Sequence, residues 1–268
     1  MKEILVKILI QMAIDEERRK KIYIMIISVV TGLLVLIAFF VHIITNPLSV
    51  FKEFIFGDEI LAIEQFQKDY GYNQSIGIYD KDYVDADGQE YGDITFTDSE
   101  VNVVYFNQLD EKYKNQFYGK DKVGTHGCGP TSMAIVVSSL TGQVYDPIYM
   151  CDWSVKNGYY AVGSGSYHSL IPNCAKAFGL NVEGLGNDKG KVVDALNNGK
   201  LVVALMGKGT FTNSGHFIVL RGITSDGKIL VADPASYKRS KEQFDIDLII
   251  NEVRQGAGAG GAFWSVWN

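Results

Sequence analysis

One cysteine in this sequence stands where a helix is predicted to begin. Cys128 lies in the stretch GTHGCGPTSMAIVV, between two glycines and two residues before Pro130. Proline suits the first turn of a helix and Gly142 suits its end, so the pattern predicts a helix with a buried body from Met133 to Leu140. The free amides and the dipole at a helix start favour a thiolate. Cys128 is therefore a candidate nucleophile, and the alternative is a small apolar residue packed at a helix start.

A histidine and an aspartate are predicted to share one face of a β-hairpin. The stretch GHFIVLRGITSDGKILVADP contains two apolar strands around a turn, with His216 at the start and Asp233 near the end. A four-residue loop would pair His216 with Ala235, and a two-residue Asp-Gly turn would pair it with Tyr237. Side chains alternate with a period of two, so both registers place Asp233 on the same face as His216. Only the first register brings the two side chains within reach without a bulge or twist.

These residues together suit acyl transfer. A histidine beside a carboxylate is a base held in one tautomer, and a cysteine at a helix start can be activated by such a base. The reaction also needs donors for the oxyanion, which the Cys128 amide and a side-chain amide can supply. Gln108 follows an apolar strand in VNVVYFNQLDEKY and is the candidate for the second donor.

The chain resembles the papain-like cysteine peptidases in the order of Gln108, Cys128, His216 and Asp233. The surrounding motifs are similar to those of cysteine peptidase family 39, a group that includes the double-glycine leader peptidases of bacteriocin exporters. YFNQLDEKY, HGCGPTSMA, DWSVKNGYY, GHFIVLRG and DGKILVADP run in family order from about Val101 onward. The resemblance implies an α+β, papain-like fold in which the nucleophile helix packs on an antiparallel sheet.

The same resemblance implies a role for each of the four residues. Cys128 would be the nucleophile, His216 the base, Asp233 the residue that orients His216, and Gln108 the oxyanion donor. Ala232 departs from the family pattern, in which relatives often carry a polar residue before the aspartate. No ATP-binding cassette follows in the sequence, so leader cleavage coupled to an exporter is not expected.

Two further histidines and two further cysteines are weaker candidates. His126 is two residues from Cys128, but it lies in a predicted flexible loop with no evident carboxylate partner, and His168 could line the cleft. Cys151 and Cys174 are predicted to be helical core residues, although export would permit a bond between them. Three aromatic residues would form one wall of the cleft or part of the core: Trp153, Tyr159 and Tyr160.

Composition and motif patterns argue against several other classes of function. The 268 residues carry a net charge of −6, which argues against a general nucleic-acid-binding protein with a basic face. The stretch DKDYVDADGQEYGD fails the EF-hand pattern when Gly88 is taken as the loop glycine, and a hairpin with a turn at Asp87-Gly88 is predicted instead. MGKGT and GAGAGG lack the spacing of a phosphate-binding loop. We therefore expect no cofactor and no metal ion.

Residues 22–45 form a long apolar run, IYIMIISVVTGLLVLIAFFVHIIT, without Asp, Glu, Lys or Arg. About 20 apolar residues are needed to cross a bilayer as a helix. A cleaved signal peptide would have a shorter apolar core followed by small residues at the cleavage site, and this run shows neither. Residues 22–46 are therefore predicted to be a retained, single-pass transmembrane anchor.

The charges on the two sides of this anchor predict its orientation. Four consecutive basic residues, from Arg18 to Lys21, precede the anchor, while only Lys52 lies close after it. The positive-inside tendency then keeps the N-terminus in the cytoplasm and exports the rest of the chain. Four segments follow: a basic, amphipathic cytoplasmic segment (1–21), the anchor (22–46), a juxtamembrane helix ending near Gly71 with an acidic turn-rich stretch (47–100), and the peptidase domain (101–268).

Two functions remain open. The first is a membrane-anchored, extracytoplasmic cysteine peptidase whose substrate is a peptide, a partner protein or a murein cross-link. The second is a catalytically idle domain of the same fold that acts as a binding or scaffold part of an envelope or conjugation assembly. The complete set of four residues favours the peptidase, because a scaffold has no physical need for all of them. The expected partners are a peptide or protein substrate and the membrane, without nucleic acid.

Overall fold

The computed structural model describes residues 3–4, 6–7, 16–45 and 91–268. The chain divides into two compact units, Met1–Ile60 and Leu61–Asn268. The predicted helix ending near Gly71 and the predicted hairpin at Asp87-Gly88 lie outside the described residues. Within the predicted amphipathic segment (1–21), residues 3–4, 6–7 and 16–21 are described and are helical.

The first unit contains one long apolar helix, α1 (Glu16–Thr45). The stretch Lys20–Ile37 has a mean hydropathy of 2.1, and none of it is buried against other parts of the protein. A helix of this length and composition is able to cross a bilayer. Among the described residues it is the one helix that meets this criterion, and it lies close to the N-terminus.

The second unit combines short helices with a larger sheet. Its helices are α2 (Val123–His126), α3 (Cys128–Thr141), α4 (Pro147–Lys156), α5 (Leu170–Ala177), α6 (Lys189–Asn197), α7 (Tyr237–Ser240) and α8 (Ile246–Glu252). Its strands are β1 (Ile94–Phe96), β2 (Val103–Tyr105), β3 (Phe117–Tyr118), β4 (Asp121–Lys122), β5 (Tyr160–Ala161), β6 (Gly165–Ser166), β7 (Asn181–Gly186), β8 (Leu201–Met206), β9 (His216–Ile223), β10 (Lys228–Ala232), β11 (Gln243–Asp245) and β12 (Phe263–Trp267).

A six-stranded antiparallel sheet forms the centre of this unit, in the order β11-β10-β9-β8-β12-β7. Strand β8 is buried at every residue and β9 at all but its last, so both faces of the sheet centre are covered. Helix α3 packs on β9, α5 on β7, and α6 on β8 and β9. This is the α+β arrangement predicted from the sequence, with the cysteine-bearing helix on an antiparallel sheet.

Helix α3 confirms the local prediction around Cys128. It begins at Cys128 itself, carries Pro130 in its first turn, and is buried from Cys128 to Ser138. Gly142 ends the helix in the left-handed conformation, with φ at 71°, which a residue with a side chain adopts at a cost. An apolar helix that is covered on all sides belongs to the core, so its length and composition point to burial rather than to a membrane.

The hairpin of β9 and β10 follows neither predicted register along its whole length. Next to the turn, Ile223 pairs with Ile229, which fits neither loop considered above. Arg221 is then an extra residue on β9, because Gly222 pairs with Leu230 and Leu220 pairs with Val231. Beyond this bulge the pairing is that of the four-residue loop. A single bulge shifts the pairing by one residue and so restores the face on which the later side chains lie.

Residues before Val101 also pack on this sheet. Strand β1 pairs with β2 in a two-stranded antiparallel ladder. Arg221 forms an ion pair with Asp98, which follows β1, and its guanidinium lies 4.2 Å from the ring centre of Phe96. The packed unit therefore includes residues upstream of the predicted start of the peptidase domain.

Candidate active site

The four predicted residues lie at the ends of separate elements. Cys128 is the first residue of α3, His216 is the first residue of β9, Asp233 directly follows β10, and Gln108 lies in the loop after β2. All four are buried, with 7% exposure for Cys128 and 1% or less for the other three. The site therefore lies where the start of helix α3 meets the ends of two central strands, β9 and β10.

His216 and Asp233 are directly bonded. The distance from His216 Nε2 to Asp233 Oδ1 is 2.7 Å, and both side chains are fully buried. The second ring nitrogen, Nδ1, has no hydrogen-bond partner among the described residues. Since Asp233 occupies Nε2, Nδ1 is the nitrogen available to a thiol or to a reacting group. Cys128 is close enough to this ring to affect its titration.

The electrostatics of this pair favour the charged forms. Burial by itself would lower the pKa of His216, but the charge and hydrogen bond of Asp233, together with Cys128, raise it to about 9. Burial would likewise raise the pKa of Asp233, but Arg239 and His216 lower it to about 2. Near neutral pH the site therefore holds an imidazolium bonded to a carboxylate.

Asp233 has a second charged partner that the sequence interpretation did not include. Arg239 Nε donates to Asp233 Oδ2 at 2.7 Å, and the arginine side chain is only 10% exposed. Arg239 belongs to the one-turn helix α7 in the stretch DPASYKRS, directly after the Asp-Pro pair. Arg239 lies six residues after Asp233, in a helix of one turn, and no local pattern in the sequence places it against the aspartate.

Main-chain contacts fix Asp233 as well. Oδ1 accepts a second hydrogen bond from the Ala235 amide at 2.8 Å, and the Asp233 amide donates to Ser240 Oγ at 2.8 Å. The Asp233 carbonyl accepts from the Tyr105 hydroxyl at 2.8 Å. These bonds come from β2, from the turn after β10 and from α7, so the carboxylate is held from several directions.

Gln108 connects the two halves of the site. Its amide nitrogen Nε2 donates to the Gly124 carbonyl at 2.9 Å and lies 3.4 Å from the Val123 carbonyl. Its main-chain amide donates to the Pro234 carbonyl at 2.7 Å. The swapped amide orientation would set Oε1 against two carbonyl oxygens, so the hydrogen bonds determine the orientation. In this conformation the predicted oxyanion donor is engaged by the main chain just upstream of Cys128.

The comparison with protein families identifies this domain. Residues 100–255, more than half of the chain, match the Peptidase_C39 like family. The chain belongs to this family. Its α+β fold is thus the papain-like fold that the motifs implied.

The other comparisons give less information about this chain. A search of curated proteins finds no match. Among solved structures, the chain is similar to the peptidase domain of Streptococcus ComA, described as a bi-functional ABC transporter involved in a quorum sensing pathway. The two are 19% identical, and the match covers 53% of this chain and 90% of that one, with a TM-score of 0.38.

The two remaining histidines of the C39-like domain are held by other contacts. The expectation of a flexible loop without a carboxylate near His126 is wrong. His126 lies in α2, with Nδ1 at 2.8 Å from Thr125 Oγ1 and 3.9 Å from Asp121 Oδ1, and burial lowers its pKa. His168 is fully buried, and its Nδ1 accepts from the Gly258 amide at 3.0 Å, which ties it to the glycine-rich segment before β12.

The other cysteines are core residues, as predicted. Cys151 and Cys174 are buried and free, so the bond that export would permit is not formed. Burial raises the pKa of both thiols, to about 12 for Cys174.

The aromatic residues considered for a cleft wall also pack inward. Trp153 stacks on Tyr159 at 5.6 Å between ring centres and packs on the main core, while Tyr160 packs against Tyr118. Within the described ranges no three metal-binding side chains converge.

Proposed function

We propose that the chain is a membrane-anchored cysteine peptidase that hydrolyses peptide bonds outside the cytoplasm. Membership of the C39-like family supports a peptidase. The observation that carries the cysteine mechanism is the buried hydrogen bond of 2.7 Å between His216 Nε2 and Asp233 Oδ1. The same imidazole ring is close enough to Cys128 for that side chain to affect its titration. A thiol at a helix start beside such a pair has the parts that nucleophilic catalysis requires.

In the proposed first half of the reaction, the Cys128 thiolate attacks the carbonyl carbon of the peptide bond. The carbonyl oxygen becomes an oxyanion and accepts hydrogen bonds from the Cys128 amide and from Gln108. The carbon–nitrogen bond then breaks as His216 transfers its proton to the leaving amine. The products of this half are a free amine, a thioester on Cys128 and a neutral imidazole.

In the second half, water replaces the amine. His216 accepts a proton from the water molecule, whose oxygen attacks the thioester carbonyl. The carbon–sulfur bond breaks, which releases a carboxylic acid and restores the thiolate and the imidazolium. Asp233 holds the ring throughout through its bond to Nε2. Each half uses the same oxyanion donors, so one N–H of Gln108 Nε2 must turn from the main chain to the substrate.

The location rests on the apolar helix α1 and on the basic residues that precede it. An apolar helix that follows four basic residues, the one such helix in the described part of the chain, supports a cytoplasmic N-terminus and an exported C39-like domain. A substrate outside the membrane would then be a peptide, a partner protein or a murein cross-link. The site residues act on the peptide group that all of these share.

One observation favours the alternative of an idle scaffold domain. Cys128 is 7% exposed, and the amide nitrogen of Gln108 is bonded to the main chain. A site that never admits substrate would have this appearance. The scaffold and the peptidase therefore differ in whether Cys128 reacts in the folded protein.

Alkylation of the full-length protein in native membranes tests the proposal. We expect iodoacetamide to label Cys128 near neutral pH faster than Cys151 or Cys174, because burial holds those two thiols in the protonated form. Mass spectrometry of the three cysteine peptides gives the rates, and the buried cysteines serve as internal controls. His216→Ala should slow the labelling of Cys128 alone.

Two results would favour the scaffold. One is equal labelling of the three cysteines in the folded protein. The other is full cellular function of a Cys128→Ala variant that is produced at the normal level, because a peptidase cannot work without its nucleophile.

A further inference from the structure

The two oxygens of the Asp233 carboxylate have different partners. Oδ1 bonds to His216, and Oδ2 accepts from Arg239 Nε at 2.7 Å. Both partners are nine-tenths or more buried. A buried carboxylate is therefore shared between a ring that changes its charge during the proposed reaction and a guanidinium that does not.

Arg239 lies in a short helix that is capped at its start. Ser236 Oγ accepts from the Arg239 amide at 3.1 Å and caps the first turn of α7. Ser240, at the end of the same turn, donates from Oγ to the Ser236 carbonyl at 2.8 Å and accepts from the Asp233 amide at 2.8 Å. The helix thus folds back on Asp233, and the arginine side chain reaches the carboxylate six residues upstream in the sequence.

The other charged and titratable groups around Asp233 come from three elements. Strand β9 contributes His216 and also Arg221, whose guanidinium is paired with Asp98 and donates to main-chain carbonyls of Val231 and Ser240. Helix α3 contributes Cys128, which acts through His216, and β2 contributes the Tyr105 hydroxyl on the Asp233 carbonyl. Among these groups, Arg239 is the permanent cation in direct contact with the carboxylate.

The charge at this site changes during the proposed cycle. While His216 is protonated, the imidazolium itself balances Asp233. After the proton has passed to the leaving amine, the imidazole is neutral, and a buried carboxylate without a cation would be costly. Arg239 supplies that cation. It also opposes the protonated form of His216, which otherwise holds its proton tightly beside Asp233 and is then a poor acid.

We infer that Arg239 is a positioning residue of the active site, which holds Asp233 by its second oxygen and balances its charge whenever His216 is neutral. This inference rests on the proposed function, since the neutral state of His216 occurs in that reaction. The arrangement makes the site a chain of four side chains, Arg239, Asp233, His216 and Cys128.

The first test is the pH profile of Cys128 alkylation by iodoacetamide, measured on the full-length protein in membranes. Two variants that remove the charge, Arg239→Gln and Arg239→Met, are compared with the wild type. The test can be made as long as one of the two folds. Removal of a nearby positive charge makes every deprotonation at the site less favourable, so both the acidic and the alkaline limb should move upward by about one pH unit. Arg239→Lys keeps the charge and should keep the limbs near those of the wild type.

Ser236→Ala is the matched control, because it removes the cap of α7 and leaves the guanidinium in place. It should lower the thermal stability without moving the limbs. An unchanged profile in the folded neutral variants would overturn the inference, and so would an equal movement of the limbs in Ser236→Ala. Either result would assign Arg239 a purely structural role.

A second measurement does not depend on a reactive cysteine. In a Cys128→Ala protein labelled with ¹⁵N-histidine, NMR titration of His216 should show a higher pKa after Arg239→Gln or Arg239→Met. An unchanged or lowered value would overturn the inference. Failure of the proposed function looks different, because Cys128 would then fail to react faster than Cys151 in the wild type and in every Arg239 variant.

Discussion

Ser132 donates a hydrogen bond from Oγ to the main-chain carbonyl of Phe217 at 3.2 Å. Ser132 lies in the second turn of α3, four residues after Cys128, and Phe217 follows His216 on β9. The bond therefore joins the helix that starts with the candidate nucleophile to the strand that starts with the candidate base. The relative position of Cys128 and His216 depends on this contact as well as on apolar packing.

Ser132→Ala should slow the alkylation of Cys128 while the fold is retained. A buried hydrogen bond of this kind contributes about 1 kcal/mol to stability, and its loss lets α3 move relative to β9. Ser139→Ala is the control, since Ser139 lies in the same helix but bonds to Val104 on β2. Both variants should lower the melting temperature by similar amounts. Equal effects on the alkylation rate would show that the contact to Phe217 has no special role.

Asp233→Ala should destabilise the protein far more than His216→Ala. Removal of the carboxylate leaves Arg239 buried without its ion-pair partner, which costs about 3–5 kcal/mol. Removal of the imidazole leaves the Asp233–Arg239 pair intact. Chemical denaturation of the two variants measures the difference. An Asp233→Ala protein as stable as His216→Ala would mean that Arg239 gains other compensation. Asp233→Asn, which still accepts hydrogen bonds, is the better variant for activity measurements.

Gln108→Ala should lower turnover about 10²–10³-fold, since one oxyanion hydrogen bond is worth that much. Alkylation by iodoacetamide forms no oxyanion, so the labelling rate of Cys128 should change little. Hydrolysis of fluorescein-labelled casein and of purified cell wall measures turnover. If labelling and turnover fall together, the role of Gln108 is to hold the segment at Val123 and Gly124, to which it is bonded in the structure.

His168 should make the protein less stable in mild acid. Burial and the charge of Arg254 lower its pKa from 6.5 to about 3. The folded state then binds fewer protons than the unfolded state, so stability is complete above about pH 6.5 and declines as the pH falls toward 3, by about 3 kcal/mol at pH 4. His168→Asn keeps an acceptor for the Gly258 amide and should flatten this decline in thermal unfolding measured against pH. An unchanged slope would mean that other groups cause it.

The topology can be tested by protease treatment of protoplasts. Protease added from outside should remove the C39-like domain and spare an epitope tag at the N-terminus, because basic residues before a spanning helix favour a cytoplasmic N-terminus. A cytoplasmic marker protein that stays intact shows that the membrane is closed. A soluble form that starts near Asn46 would instead show that the apolar segment is a cleaved signal peptide.

The parts of the fold that are specified locally were predictable from the sequence. Helix α3 has Pro130 in its first turn and Gly142 at its end, and these signals act within a few residues. The shared face of His216 and Asp233 followed from strand alternation alone, although a bulge at Arg221 intervenes. The bulge itself was not predictable, because Arg221 turns toward Asp98, which is distant in the sequence.

The remaining features depend on contacts between distant segments. Arg239 meets Asp233 because α7 folds back after the turn, and no periodic pattern encodes that return. The last strand, β12, lies between β7 and β8, a position that no local pattern encodes, since strand order depends on packing across the whole unit. The engagement of Gln108 by main-chain carbonyls is likewise a result of tertiary structure.

The strand order has a consequence for the way in which the domain is completed. At its end of the described sheet, β7 (residues 181–186) is paired with β12 (residues 263–267) and with no other strand. Because synthesis runs from the N-terminus, residues 181–186 are made more than seventy residues before the strand with which they form hydrogen bonds. Until then the sheet stays open along β8, where β12 will insert. The late arrival of one short segment thus determines when the sheet of the C39-like domain can be completed.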